Sequence, residues 1–551
     1  MVVAASGSVK QCARGADERG ACDVAVGYNA AGFVRGATRT EPGRTNPSVP
    51  LEALRASMAV NPKKLRPYDT PTRRRVPLIP DGPDAAATVF LVAAIVWLVA
   101  ATGIGVLWAG MQLFPDLLSL TLSVPTFSGT LEIVMSPATI GAGFWNAVVF
   151  GWLSNAGLGA ILFITPRVLG QRLVGEQVGA AAAGLWNVGM LAGLTAIYVP
   201  SIAATGTLAE FPLPVDAVLL LALLLANDVF WRTGMSARER APYASVWFLG
   251  VALLGFTVLY AVGTLVPLVS DGTTFAALVG AAYARGLETV WVLGVAFGVL
   301  YYIVPRATGN ALHSSGVALL GWLTWAVLAV LAPLAALVDS SVPFALTQAG
   351  NAATIMLVVP AFLAIANLLL SLRGRWTLLL SPGTVQYAMV ALAFLATTAL
   401  LEALSALGSV RDLIGGTEWT VGVRFFAFFG ATTFALLALT DHAFPRLLRR
   451  DWGGTIVTTA TLWATFAGTA ISGLALIAGG VVHGSLLQGG AAPEEIEATL
   501  FWTNAVAGSG LGLVALGGLA AALNVFLMYT DGRRAEYAVG ATAAASASAG
   551  Q

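Results

Sequence analysis

From residue 86 to about 530 the chain repeats one pattern: a long apolar run, then a short polar connection. Twelve runs are present, near residues 87–113, 140–165, 178–200, 213–231, 243–267, 274–304, 314–338, 343–371, 383–408, 418–444, 455–481 and 500–529. A helix needs about 20 apolar residues to cross a hydrocarbon core of ~30 Å, and each run is long enough. The runs are continuously apolar, without the every-second-residue alternation of a barrel strand. Backbone groups in lipid must find partners within their own segment. The pattern therefore predicts an all-α integral membrane protein with twelve transmembrane helices and no strands.

The flanks read differently. Residues 1–85 are rich in Gly, Ala, Arg, Pro and Thr and end in the basic stop Pro71-Thr72-Arg73-Arg74-Arg75. They contain no secretory-signal core and read as a disordered cytoplasmic leader. Met1 and Met58 are both candidate starts. Residues 86–530 form the membrane domain, and the Ala/Ser/Gly run 531–551 reads as a flexible cytoplasmic tail. The two cysteines, Cys12 and Cys22, fit neither a zinc nor a redox spacing.

Charge supports the same topology. Arg167 and Arg172, then Arg232, Arg238 and Arg240, then Arg306, then Arg373 and Arg375, then Arg446, Arg449 and Arg450 fall in alternate loops, with Arg533 and Arg534 after the last span. All share a side with Arg73–Arg75, and the opposite loops hold only Arg411. Cytoplasmic loops accumulate Lys and Arg. The expected location is thus the cell membrane, multi-pass, with both termini cytoplasmic. Composition agrees: 57% of the 551 residues are hydrophobic and 10% are charged, against about 25% charged in soluble domains. A net charge of +1 gives no field to recruit nucleic acid.

Several motifs sit on this frame. The sixth span ends Tyr301-Tyr302-Ile303-Val304-Pro305-Arg306, and the next spans carry Thr347-Gln348, Met356, Pro360 and Asn367, followed by Gly374 and Trp376. The tenth opens Thr417-Glu418-Trp419-Thr420-Val421-Gly422, and the second holds Asn146-Ala147-Val148-Val149-Phe150. In order and spacing these resemble subunit I of the haem-copper oxidase and nitric oxide reductase superfamily, and its cbb3-type C family most. The corresponding stretches there read Y-Y-x-V-P-K, T-D-W-T-I-G-H-V-H and H-T-N-A-V-I-F. The resemblance covers roughly residues 86–530. It implies a twelve-helix bundle in three arcs holding a low-spin haem, a high-spin haem and a copper ion.

The departures lie at the metals. The family uses six histidines, because a neutral imidazole nitrogen donates a lone pair to iron or copper. This chain has three in all, His313, His442 and His483. By the resemblance, the low-spin haem ligands fall on Phe144 and Phe425, and the high-spin ligand falls on Val423. The copper ligands fall on Arg285 and near Ala336 and Leu337. His313 and His442 are expected toward the cytoplasmic side and His483 in an opposite loop, so they form no alternative metal site. No haem or copper is expected.

Charges stand instead where metals would be. Arg285 and Glu288 lie one turn apart on one face of the sixth span. Arg424 sits beside the lost ligands in the tenth, and Glu402 lies deep in the ninth, where the resembled family tends to carry a carboxylate. A charge at mid-membrane costs about 2.5–3.5 kcal/mol, so four are expected to pair or to face a wet cavity. One reading is a structural salt-bridge plug; another is a proton or ion path, or an anionic-substrate site. Asp228 and Asp441, near the cytoplasmic ends of their spans, read as interfacial caps or as the start of a proton path. Small-residue pairs such as Gly189 with Gly193, and Ala147 with Gly151, predict close helix packing. The functions expected are a cofactor-poor subunit or assembly partner of a respiratory membrane complex, a working cytochrome c or quinol oxidase, or a proton or ion transporter through the Arg/Glu cluster. Besides lipid, the partners expected are other subunits of such a complex.

Overall fold

The computed structural model describes residues 82–532 apart from 115, 118, 127–128, 202–210, 238–242, 270–273, 338–341 and 453. The expected leader up to residue 81 lies outside them, as do Cys12, Cys22, Arg73–Arg75, Arg238, Arg240 and the tail from residue 533.

Among the described residues, twelve helices are long and apolar enough to span a membrane. They are α1 (Ala85–Leu113), α2 (Pro137–Val168), α3 (Glu176–Ile197), α4 (Leu213–Met235), α5 (Ala244–Val266) and α6 (Ala277–Thr308). The chain continues with α7 (Ser315–Leu337), α8 (Phe344–Ser371), α9 (Thr384–Ser405), α10 (Trp419–Leu448), α11 (Thr455–Gln488) and α12 (Pro493–Thr530). Every predicted span has its helix. The outer helices present Val96, Leu191, Val327, Leu474 and Phe526 to the surroundings, an apolar exterior suited to lipid.

The expectation of no strands needs correction. Leu120–Thr126 and Gly129–Met135 form an antiparallel hairpin between α1 and α2, with Leu120 opposite Met135 and Thr126 opposite Gly129. The hairpin is tied to the end of α3 by the Val134 amide, which donates to the Tyr198 carbonyl at 2.8 Å. Hydropathy alone hid it, because these residues connect two spans, where lipid no longer forbids an open strand edge.

Three helices form the interior. The most apolar stretches of α2, α6 and α10 are 100%, 89% and 83% buried, while no other span exceeds 50%. Each inner helix carries a π-helical turn, at Ala147–Leu153, Leu287–Val292 and Phe426–Thr432. Such turns widen a helix locally and are frequent at functional sites. Each inner helix also ends on a proline followed by an arginine: Pro166-Arg167, Pro305-Arg306 and Pro445-Arg446. These features recur once every four helices.

A ring of hydrogen bonds joins the three at the level of their π-turns. The Trp152 indole of α2 donates to Thr433 Oγ1 of α10 at 2.8 Å. Thr432 of α10 reaches the Val292 carbonyl of α6 at 3.5 Å, and the Trp291 indole of α6 donates to Ser154 Oγ of α2 at 3.0 Å. Ser154 and Thr433 in turn donate to carbonyls five residues back, at Val149 and Phe428. In α2 and α10 the hydroxyls thus add a second bond to carbonyls that already accept the backbone amide of the same residue. Interhelical hydrogen bonds in membranes are worth about 0.6 kcal/mol on average and at most about 1.7. Trp291→Phe is therefore expected to destabilise the chain by an amount in that range. A thermal melt indistinguishable from wild type would remove the ring from the account.

Small residues allow the close approaches. A Cβ on Gly193 would lie 2.6 Å from the Phe211 ring, and one on Gly189 would lie 2.7 Å from Leu219. These two glycines of α3 pack as the sequence predicts. Ala147 is fully buried, and a Cβ on Gly151 would lie 2.8 Å from Trp97.

Candidate functional site

Arg285, Glu288, Glu402 and Arg424 come together from three helices. The π-turn of α6 begins just after Arg285 and takes in Glu288. The Arg285 guanidinium meets Glu402 of α9 through two parallel bonds, Nη1 to Oε1 at 2.9 Å and Nη2 to Oε2 at 2.5 Å. Its Nη1 also donates to Glu288 Oε2 at 2.8 Å. Glu288 Oε1 accepts from Arg424 Nε of α10 at 2.6 Å. The result is a chain of alternating charge, Glu402–Arg285–Glu288–Arg424, in which all four carboxylate oxygens are occupied. Paired, bidentate geometry of this kind is what lets ionised groups persist away from water.

The cluster is the floor of a cavity of about 370 Å³. Its wall is built from small residues, Ala281, Ala284, Ala335, Ala336 and Ala406, together with Val423, and from the polar side chains of Asn351, Thr354, Ser405, Arg411 and Thr420. Arg411 comes from a short helix, Gly408–Ile414, that joins α9 to α10 at the arginine-poor end of the bundle. On the other side of the charges lies a smaller, mostly apolar cavity of about 60 Å³.

The positions that the resemblance assigns to metal ligands fall into two groups. Arg285, Ala336 and Val423 line the larger cavity, and Leu337 is buried at the end of α7. Phe144 and Phe425 face one another with ring centroids 6.5 Å apart. Around them Phe429 stacks on Phe144 at 6.2 Å, and Trp108 stacks on its ring at 5.4 Å. Phenyl, methyl and isopropyl groups have no lone pair for iron or copper, and a guanidinium is a donor only. At these assigned positions the side chains present do not fit the haems and copper that the resemblance implies. Among the described residues no three His, Cys, Asp or Glu side chains gather as a metal site.

The histidines are apart from this region. His442 is buried on α10, edge-on to Tyr302 and Phe163. His313 lies before α7, where its backbone amide donates to Ser371 Oγ at 3.0 Å. His483 was expected in a loop and instead sits within α11, with Nδ1 2.8 Å from Glu418 Oε2. The reason is length: α11 extends past the hydrocarbon-length run to Gln488, because its neighbour α12 supports it there.

The two aspartates part ways. Asp228 is half-exposed and paired with Arg232 one turn on, at 3.0 Å, a surface pair of small energetic value. Asp441 turns inward, accepts from Thr384 Oγ1 at 2.5 Å, and borders a cavity of about 20 Å³ with Tyr387 and Asn524. Neither touches the Arg/Glu cluster. Sequence reasoning missed Asp216, which is buried in the first turn of α4 and accepts from the Tyr260 hydroxyl at 2.7 Å. The signal was available: a lone carboxylate in an apolar run, with Tyr260 in the next span. It also missed Asn351 and Thr420 as cavity residues, because polar side chains without charge do not stand out in a hydropathy profile.

Comparison with known proteins places this geometry. Residues 85–531 match the family described as cytochrome c and quinol oxidase polypeptide I. The cbb3-type cytochrome c oxidase subunit CcoN1 of Stutzerimonas stutzeri is 23% identical over 405 residues, 72% of this chain and 82% of that protein. The cytochrome c oxidase subunit 1 homolog of Agrobacterium tumefaciens (strain T37) is 22% identical over 400 residues, 69% of this chain and 71% of the relative. The solved structure of a heme-copper terminal oxidase dimer superposes with a TM-score of 0.65 at 15% identity, covering 81% of this chain and 84% of that one. A fold match at that identity carries the architecture, and the family match carries most of the sequence. The twelve helices, the three buried inner helices and the motif string have one source: this multi-pass membrane protein belongs to the cytochrome c and quinol oxidase polypeptide I family.

Proposed function

We propose that this chain is a cofactor-poor, subunit I-like component of a respiratory membrane complex, acting with partner subunits and not as an oxidase by itself. One observation carries the reading. At the positions that the resemblance assigns to ligands stand two packed phenyl rings, a guanidinium and apolar side chains, and the guanidinium is locked to two carboxylates. A scaffold that held copper at Arg285 would need that arginine elsewhere. The salt-bridged chain instead fills part of the vacated volume with groups that satisfy one another. Fold and family alone do not establish activity.

Both termini lie on the cytoplasmic side in this reading, which rests on the arginine bias of alternate loops. Single cysteines placed at Ser409 and at His313, in a chain whose Cys12 and Cys22 are replaced by serine, test it. An impermeant maleimide added outside intact cells is expected to label the first and spare the second. The reverse pattern would invert the topology.

A pyridine haemochrome spectrum of the purified chain tests the function. Less than one-tenth equivalent of haem is expected, and one equivalent or more of b-type haem would overturn the proposal. Gentle purification from the native membrane is expected to bring further subunits with it; a chain that elutes alone would remove the partner half of the reading.

A further inference from the structure

The cavity above the charge cluster has room for a small ligand, and its polar inventory bears on which kind. Its volume of about 370 Å³ is many times the ~30 Å³ that one water takes up in the liquid. Both acidic side chains on its lining are fully engaged: Glu402 with both Nη atoms of Arg285, and Glu288 with Arg285 and Arg424. Two arginines thereby cancel two carboxylates. Arg411 is a third, and among the described residues it has no carboxylate partner, so the lining carries one uncompensated positive charge.

The free hydrogen-bonding groups point the same way. Arg424 spends Nε on Glu288, and its two Nη groups have no acceptor among the described residues. The buried side-chain amide of Asn351 and the hydroxyl of Thr420 also line the cavity without a protein partner among those residues. The free guanidinium groups are donors only, Asn351 and Thr420 can donate as well as accept, and the carboxylate acceptors are used up. A guanidinium edge with two free N–H groups matches a planar pair of oxygens. The alanines around it leave room.

We propose that this cavity binds a small, singly charged, planar oxyanion of the carboxylate, bicarbonate or nitrate type, held between Arg424 and Arg411 and entering from the arginine-poor end. The inference rests on the reading that no haem fills this space, which the haemochrome spectrum tests separately.

The experiment uses the full chain in lipid nanodiscs. Sodium acetate, bicarbonate and nitrate are titrated at constant ionic strength, with chloride as the balancing ion, and the melting temperature is followed. At least one of the three is expected to raise it saturably, since a ligand of the folded state stabilises that state. Arg411→Gln, which removes no ion pair, is expected to weaken that apparent affinity at least tenfold with the unliganded melting temperature unchanged. In the chain lacking Cys12 and Cys22, Asn351→Cys is expected to react with a small thiosulfonate and to be protected by the same anion. The proposal is overturned if none of the three anions differs from chloride. It is equally overturned if Arg411→Gln binds as wild type does, or if the anion leaves the reactivity of the cysteine at 351 unchanged.

Discussion

Replacing Arg285 by leucine is expected to destabilise the folded chain by roughly 3–5 kcal/mol, the cost of stranding a buried charge whose partner is gone. Glu402 has no other cationic partner among the described residues: both of its oxygens accept from Arg285 alone. Glu288 keeps Arg424, so the damage falls on the α6–α9 contact. Arg424→Leu is the informative comparison. It leaves Glu288 bonded to Arg285 at 2.8 Å and strands no carboxylate, so its penalty is expected to be the smaller. The double variant Arg285→Leu with Glu402→Leu removes both ends of the bidentate pair and is expected to recover much of the loss, because an apolar pair of similar size often replaces a buried ion pair at little cost. With Glu402→Leu as the other single variant, thermal and denaturant melts of wild type, the two singles and the double form a cycle that isolates the coupling. Equal melts for Arg285→Leu and wild type would mean that the charges are solvated separately and that the cluster is not a structural element.

The second large effect is steric. Gly480 and Gly484 lie one turn apart on α11, against the segment that leads into α10. A Cβ on Gly484 would overlap the Leu413 carbonyl oxygen, and one on Gly480 would overlap the Trp419 backbone. Backbone cannot rotate away as a side chain does, so even one methyl must separate the two elements. Gly484→Ala is expected to cost about 1–3 kcal/mol or more, as overpacking does. The segment displaced is the short helix Gly408–Ile414 that carries Arg411 to the mouth of the cavity, so the anion response should weaken as well. Gly512→Ala supplies the contrast, since a Cβ there meets nothing within 4 Å. With no clash, the gain in helix propensity of up to about 1 kcal/mol should appear instead. Identical melts for the two alanine variants would show that α11 does not approach the α10 entrance as closely as described.

Much of the molecule is written in one dimension. Lipid imposes a length and an apolar content on every crossing, so twelve runs of the chain became twelve helices, with boundaries shifted by up to four residues, and by seven where α11 and α12 reach beyond the hydrocarbon. The motif string from Asn146 to Gly422 pointed to the family to which the chain belongs. The four intramembrane charges stood out for the same reason: an ionised group inside an apolar run is costly and therefore conspicuous. Their partnership was predicted as a group. Its wiring was not legible.

Tertiary structure alone decided that wiring. Arg285 and Glu402 are 117 residues apart in sequence, and Arg424 and Glu288 are 136 apart; nothing local tells which carboxylate takes which guanidinium edge. It also decided which faces turn inward. Helices apolar all round carry no stripe that separates a lipid side from a protein side, so the burial of α2, α6 and α10 came from their packing, through Trp152, Trp291 and the hydroxyls they meet. The hairpin at Leu120–Met135, the bond between Tyr260 and Asp216 and the unused donors of Arg424 and Asn351 belong to the same class. Hydropathy reports how much apolar surface a segment owns. Where each polar atom finds its partner depends on neighbours that only the folded chain brings within 3 Å or so.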